Sequence, residues 1–186
     1  MNPNADKRTR LVEAADSLFH KQGVSTTTLA HIAALADVPL GNVYYYFKSK
    51  ESIILAVLNK RRQLVQNQLN DWNLITDVKE RLLAFINQTA TLTDENLNYG
   101  DALGCLCQEL SKQGGELATA ASSVLQEVVD WCEKQFSALG QGEKSYSYAI
   151  NTVSSLQGIS LLILTLKNTD VINQQINFLK NWLSNI

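Results

Sequence analysis

Apolar residues recur three and four positions apart along almost the whole of this chain, and that period points to packed α-helices before any other feature is weighed. Leu11, Ala14, Ala15, Leu18 and Phe19 form a first stripe, which Gly23 ends as a C-terminal glycine does. Leu29, Ile32, Ala33 and Ala36 form a second, with Ser25 or Thr26 expected as its N-cap. Asp37-Val38-Pro39 reads as a turn that places Pro39 in the first turn of a third helix, about Leu40 to Phe47. Only 2 prolines and 9 glycines occur in 186 residues, which argues against a sandwich or barrel with a turn about every 8–12 positions.

Beyond this point Ser49 is the expected N-cap of a long helix, about Lys50 to Trp72. Ile53, Ile54, Val57, Leu58, Leu64, Val65 and Leu69 lie on its inner side. Further helices are expected at about 77–92, 102–113, 116–139, 143–167 and 171–185, broken by Gly114-Gly115 and Gly140-Gln141-Gly142. The expected fold is all-α with about nine helices: an N-terminal three-helix domain over 1–48, then a helical domain over 49–186 whose segment 49–72 connects the two.

Hydrophobic residues make up 45% of the chain and charged residues 18%, enough for a sizeable core. The N-terminal stretch is polar and does not read as a signal peptide. The most apolar run, residues 159–166, is too short to span a bilayer. Three cysteines in such a chain read as reduced thiols, so the expectation is a soluble cytoplasmic protein with no membrane partner.

Charge is divided unevenly. Residues 1–62 hold nine lysines and arginines against five aspartates and glutamates, and the remainder holds seven against thirteen. Lys7, Arg8 and Arg10, then Lys48 and Lys50, then Lys60, Arg61 and Arg62 form three basic clusters. The split suggests that the first third meets an anion, although solvated helix faces would read the same way.

Three short helices with a tight turn between the second and third make a helix-turn-helix candidate, whose third helix would enter the major groove. Leu40, Gly41 and Asn42 stand at its N-terminal end, where Gly41 permits close approach and Asn42 can donate to and accept from a base edge. Tyr44, Tyr45 and Tyr46 are consecutive, so at about 100° per residue at least one packs inward while the others can send hydroxyls to phosphates. Lys48 and Lys50 would add charge at the backbone, and Thr26, Thr27 and Thr28 would offer hydroxyls and free amides to another phosphate. Three core tyrosines and a surface asparagine satisfy the same spacing.

From Arg10 to about Leu58 the sequence resembles the DNA-binding domain of the TetR/AcrR family of bacterial transcriptional repressors. Ala14-Ala15 through Phe19, Gly23, Thr28, Ile32-Ala33, Ala36, Val38, Gly41, Tyr44, Phe47, Lys50 and Glu51 stand at that family's spacing. Asp37 replaces the family's usual Gly and must adopt a left-handed turn conformation, which Asp tolerates. Pro39 replaces a frequent Ser or Thr and removes a hydroxyl.

The resemblance implies a homodimeric repressor on a palindromic double-stranded operator, released when a small apolar or amphipathic ligand enters the C-terminal core. The dimer interface it implies comes from the last two helices, here Leu156, Ile159, Ile163, Leu166, Ile176, Leu179 and Leu183. A monomer burying both helices is the other reading. Candidate ligand contacts are Phe85, Thr89, Leu103, Cys107, Leu125, Trp131 and Tyr148, each of which is also a plausible core residue.

Cys107 and Cys132 fall on apolar stripes and read as small buried hydrophobes, whereas Cys105 points elsewhere. Some members of the TetR/AcrR family respond to oxidants or electrophiles through a thiol, and Gly104-Cys105-Leu106 is similar to the stretch that carries it, which makes Cys105 the redox candidate. His20 suits a helix C-terminus, and His31 reads as solvent-facing or near a phosphate. No cofactor or metal site is expected: the cysteines lack zinc spacing, and no P-loop, dinucleotide fingerprint or hydrolase motif marks an enzyme.

Overall fold

The first helix stops where the backbone can turn left-handed. Gly23 has φ +86°, and its N–H closes on Phe19 O at 3.0 Å. In the computed structural model, which describes residues 7–89 and 94–186, this helix is α1, Lys7–Gln22. It is followed by α2 (Leu29–Leu35), α3 (Leu40–Tyr46), α4 (Lys50–Asn73), α5 (Val78–Gln88), α6 (Asp94–Tyr99), α7 (Ala102–Gln113), α8 (Gly115–Ala138), α9 (Ser145–Leu166) and α10 (Asp170–Ser184). All nine expected helices are present, α6 is an additional short one, and the described residues contain no strand. The fifth helix was expected to reach residue 92, and positions 90–93 lie outside the described residues.

The caps explain most boundaries. Thr28, not Ser25 or Thr26, caps α2: its hydroxyl accepts the His31 N–H, and the His31 ring accepts the Thr28 N–H. The displacement has a local cause. The Thr26 hydroxyl donates to Gln22 O and the Thr27 hydroxyl to Gly23 O, so both serve carbonyls at the end of α1 instead.

After α2 the chain makes a Schellman turn, with Asp37 N–H to Ala34 O at 3.2 Å and Val38 N–H to Ala33 O at 3.0 Å. Asp37 takes the glycine position of that turn at φ +51°. Pro39 is the N-cap of α3, just before its first turn rather than within it, and offers no side-chain cap. Ser49 and Ser52 cap α4 reciprocally, each hydroxyl accepting the other's N–H at 3.3 Å.

By packing, the chain forms two units, one of residues 1–63 and 105–124, the other of 64–104 and 125–186. The first therefore adds the start of α4, most of α7 and part of α8 to the expected DNA-binding segment. Its core is built on Leu11, Ile32, Val43, Ile53 and Val57, all fully buried.

The second unit packs Leu82, Ile86, Cys132, Phe136, Ile159 and Leu183 around two aromatic clusters. Trp72, Phe85 and Trp131 make one, with ring centroids 5.4–5.6 Å apart. Phe136, Tyr148 and Trp182 make the other. Within this unit a Cβ at Gly104 would overlap the Gln157 side-chain oxygen, so any larger residue at the head of α7 would have to displace that amide. Gly142–Leu166 is long and apolar enough to cross a membrane by length and composition, but Leu156, Ile159 and Ile163 of that stretch are buried in the second unit's core.

Candidate nucleic-acid interface

Helix α3 is anchored from beneath and bare above. Val43 and Phe47 are buried, while Leu40, Gly41, Tyr44 and Tyr45 are exposed and Asn42 is half-buried. Tyr45 is 77% exposed, far beyond what a core aromatic shows. Tyr46 is the half-buried member of the tyrosine run, its ring edge-on to Tyr45 at 4.9 Å. A Cβ at Gly41 would meet nothing within 4 Å, so the surface there lies open. Leu40, Gly41, Asn42, Tyr44 and Tyr45 thus occupy one short helix with hydroxyl and amide groups and no buried obligation, as direct readout requires.

The basic clusters are less uniform than the sequence implied. Lys48 is exposed. Arg8 lies over the Phe47 ring at 5.1 Å, a cation–π contact that ties α1 to the end of α3. Lys60 and Arg61 are committed to the buried Asp16, at 2.8 and 2.7 Å, and hold α4 to α1. Arg10 reaches Asp37 at 3.7 Å, but that carboxylate is 98% exposed and the pair is weak.

Two residues expected to face DNA turn inward instead. Thr27 is fully buried: its hydroxyl donates to Gly23 O at 2.7 Å and accepts from the Gln22 amide at 3.2 Å. The Lys50 ammonium donates to Val24 O. Thr28 stays at the surface region of the α2 N-terminus, with its hydroxyl engaged in the cap.

A residue that the sequence did not single out lies behind this loop. The Glu109 carboxylate, from α7, accepts the Val24 and Ser25 N–H groups, each at 2.7 Å. Burial works against its charge, but those two amides and the nearby Lys50 outweigh it and hold the carboxyl below its usual range. Nothing local marks Glu109 in sequence, because its partners stand 85 and 84 positions away.

The expected ligand contacts do not converge on one cavity. Phe85 and Trp131 meet in the first aromatic cluster and Tyr148 belongs to the second, with Leu125 packed against the same core. Leu103 is buried, and Thr89 is the half-buried C-cap of α5. Cys107 belongs to the other unit, where its thiol donates to Ala121 O at 3.3 Å. Of the seven, only Trp131 lines a groove of about 370 Å³ between α4 and α8 in the second unit. Gln66, Asn70, Asn73, Glu127, Asp130 and Lys134 make most of that lining polar.

The expected dimer stripe is also displaced. Leu156, Ile159, Ile163, Ile176, Leu179 and Leu183 are buried within the single chain. Of that set only Leu166 is exposed, and Tyr146, Ile150, Leu161 and Leu162 on α9 and Phe178 on α10 are exposed with it. Helix α9 is apolar nearly all round, so its inner and outer stripes read alike in sequence.

Cys132 is buried, and burial pushes its thiol up to about 12. Cys107 is buried as well, which leaves Cys105 as the half-buried thiol of the three.

Comparison with known proteins agrees with this arrangement. Residues 11–57 match the family model described as "Bacterial regulatory proteins, tetR family". The chain is 27% identical over 169 residues to the HTH-type transcriptional regulator LmrA of Bacillus subtilis, covering 88% of this chain and 89% of that protein. It is 26% identical over 122 residues to the HTH-type transcriptional repressor NemR of Escherichia coli, covering 64% and 60%. Its fold superposes on a TetR transcriptional regulator from Legionella pneumophila with TM-score 0.86 at 21% identity, over 97% of this chain and 98% of that one. The reduced form of Escherichia coli NemR superposes with TM-score 0.82 at 19% identity, over 95% and 96%.

Proposed function

We propose that this chain, which belongs to the tetR family of bacterial regulatory proteins, is a dimeric repressor that a small molecule releases from a palindromic operator. It is a helix-turn-helix transcriptional regulator, and the observation that carries DNA binding is the bare outer face of α3 at the family's register. Asn42 reads a base edge, Tyr44 and Tyr45 reach phosphates, and Lys48 adds charge beside them. Two protomers meet through the exposed apolar residues of α9 and α10, so that each reads one half-site.

The ligand enters the second unit. The groove between α4 and α8 combines the Trp131 and Leu69 side chains with amides and carboxylates, which suits an amphipathic molecule better than a purely apolar one. A ligand that prefers protomers with mismatched recognition helices lowers operator occupancy by population shift. DNase footprinting of the full chain on the DNA flanking its own gene tests the reading. The expected result is two protected half-sites whose centres lie about one helical turn, or a multiple, apart. A single unsymmetrical protected segment contradicts the dimeric arrangement.

A specific observation favours a second mode of release. Cys105 is the least buried of the three thiols, and the reduced form of Escherichia coli NemR shares this fold. In this mode oxidation or electrophile addition at Cys105 replaces the small ligand. Loss of the footprint on mild oxidation, and its return with a reductant, selects this mode; an unchanged footprint selects the groove.

A further inference from the structure

We propose that Glu109 is a positioning residue for DNA binding: from α7 it fixes the loop that leads into α2 and α3. The proposal rests on the DNA-binding reading and adds a residue outside the helix-turn-helix to it. The loop between α1 and α2 is turned by its own bonds at one end, Thr27 N–H to Val24 O at 3.2 Å and the Thr27 hydroxyl to Gly23 O at 2.7 Å, and the Glu109 carboxylate closes two further amides at once, Val24 and Ser25, both at 2.7 Å. Lys50 takes the Val24 carbonyl from the other side, so both polar groups of that peptide are held by side chains from outside the loop. Val24 and Thr27 of this loop are buried, and Thr28 follows directly as the cap that starts α2. Gly23 belongs to the same device, since a Cβ there would come within 3.1 Å of the Glu109 carboxylate oxygen, on a backbone already at φ +86°.

The geometry makes a prediction opposite in sign to simple electrostatics. A carboxylate in a DNA-binding unit repels phosphates, so if Glu109 acted through its charge alone, Glu109→Gln would tighten binding. As a clamp, Glu109 accepts two N–H groups, and the substituted amide can accept only one while opposing the other with its own NH2. Glu109→Gln then loosens the loop and weakens binding.

The test is fluorescence anisotropy of the full chain and of its Glu109→Gln and Glu109→Asp variants, on a duplex covering the DNA that flanks its own gene. Amide exchange at Val24 and Ser25 is measured in parallel, at a temperature where circular dichroism shows each variant fully helical. The expected result is an affinity loss of about tenfold or more for Glu109→Gln. It comes with faster exchange at those two amides and an unchanged dependence of log affinity on log salt, because no phosphate contact is lost. Glu109→Asp, which keeps the carboxylate, is expected to recover part of the loss. Wild-type-like or tighter binding by Glu109→Gln overturns the positioning role while leaving DNA binding intact, as does an altered salt slope. Failure of the wild type itself to bind any duplex overturns the DNA-binding reading and this proposal with it.

Discussion

Arg61 donates to the carboxylate of Asp16 at 2.7 Å, joining α4 to α1 through a buried acid. Lys60 reaches the other oxygen of the same carboxylate at 2.8 Å. Both cations keep partial access to water, so losing Asp16 costs less than breaking a fully buried pair. Asp16→Ala is expected to lower stability by about 2 kcal/mol, read as the shift of the urea midpoint at constant slope. A shift below about 0.5 kcal/mol contradicts a structural role for the pair.

On α3, residues with different roles should fail differently. Tyr45→Ala should weaken binding to all duplexes alike, whereas Asn42→Ala should change the order of preference among operator variants. Lys48→Ala should reduce the slope of log affinity against log salt by about 1. Equal loss on every operator for Asn42→Ala contradicts a base-reading role.

On α9 and α10, apolar residues of the two faces should separate in one experiment. Leu166→Glu or Phe178→Glu places a charge on an exposed face and should yield a folded monomer by light scattering. Leu179→Glu places it in the core and should prevent folding. A Leu166→Glu, Phe178→Glu double variant that stays dimeric moves the interface elsewhere.

The buried Cys132 predicts alkaline sensitivity of a definite sign. Its folded thiol is pushed up to about 12 from an ordinary value of 9.0, so between those values the unfolded chain releases a proton that the folded chain keeps. Its contribution is fully present below pH 9.0 and is lost as pH rises toward 12. The loss is at most about 1.4 kcal/mol per pH unit. Urea midpoints of the wild type and Cys132→Ala, compared at pH 8 and pH 10, should converge at the higher pH (roughly one such unit of loss). A constant difference contradicts the buried-thiol assignment.

What the sequence shows and what it hides follow from how far apart the partners stand. Helix positions were legible because each stripe repeats within a few residues, and Asp37 was legible as left-handed because the turn is local. The cap of α2 is not legible in sequence because three consecutive threonines offer the same hydroxyl, and only the loop geometry decides which two serve the end of α1. Thr27 and Lys50 read as DNA contacts in sequence because the groups they and their loop meet, Glu109 among them, are distant in sequence or set by the turn. The exposed stripe of α9 is hidden for another reason. On α9 both faces are apolar, so composition cannot distinguish the one its own core covers from the one left bare. The ligand candidates scattered because aromatic side chains on middle helices packed against one another in two clusters.

The central claim is that the outer face of α3 binds duplex DNA, and salt-resolved anisotropy tests it most directly. The full chain is titrated onto a duplex covering the DNA that flanks its own gene, and onto a shuffled duplex of the same length, at several salt concentrations. The account predicts tighter binding to the flanking duplex, weakening linearly in log affinity with log salt, and both effects sharply reduced in Tyr45→Ala. Binding that is independent of salt, or unchanged by Tyr45→Ala, contradicts it.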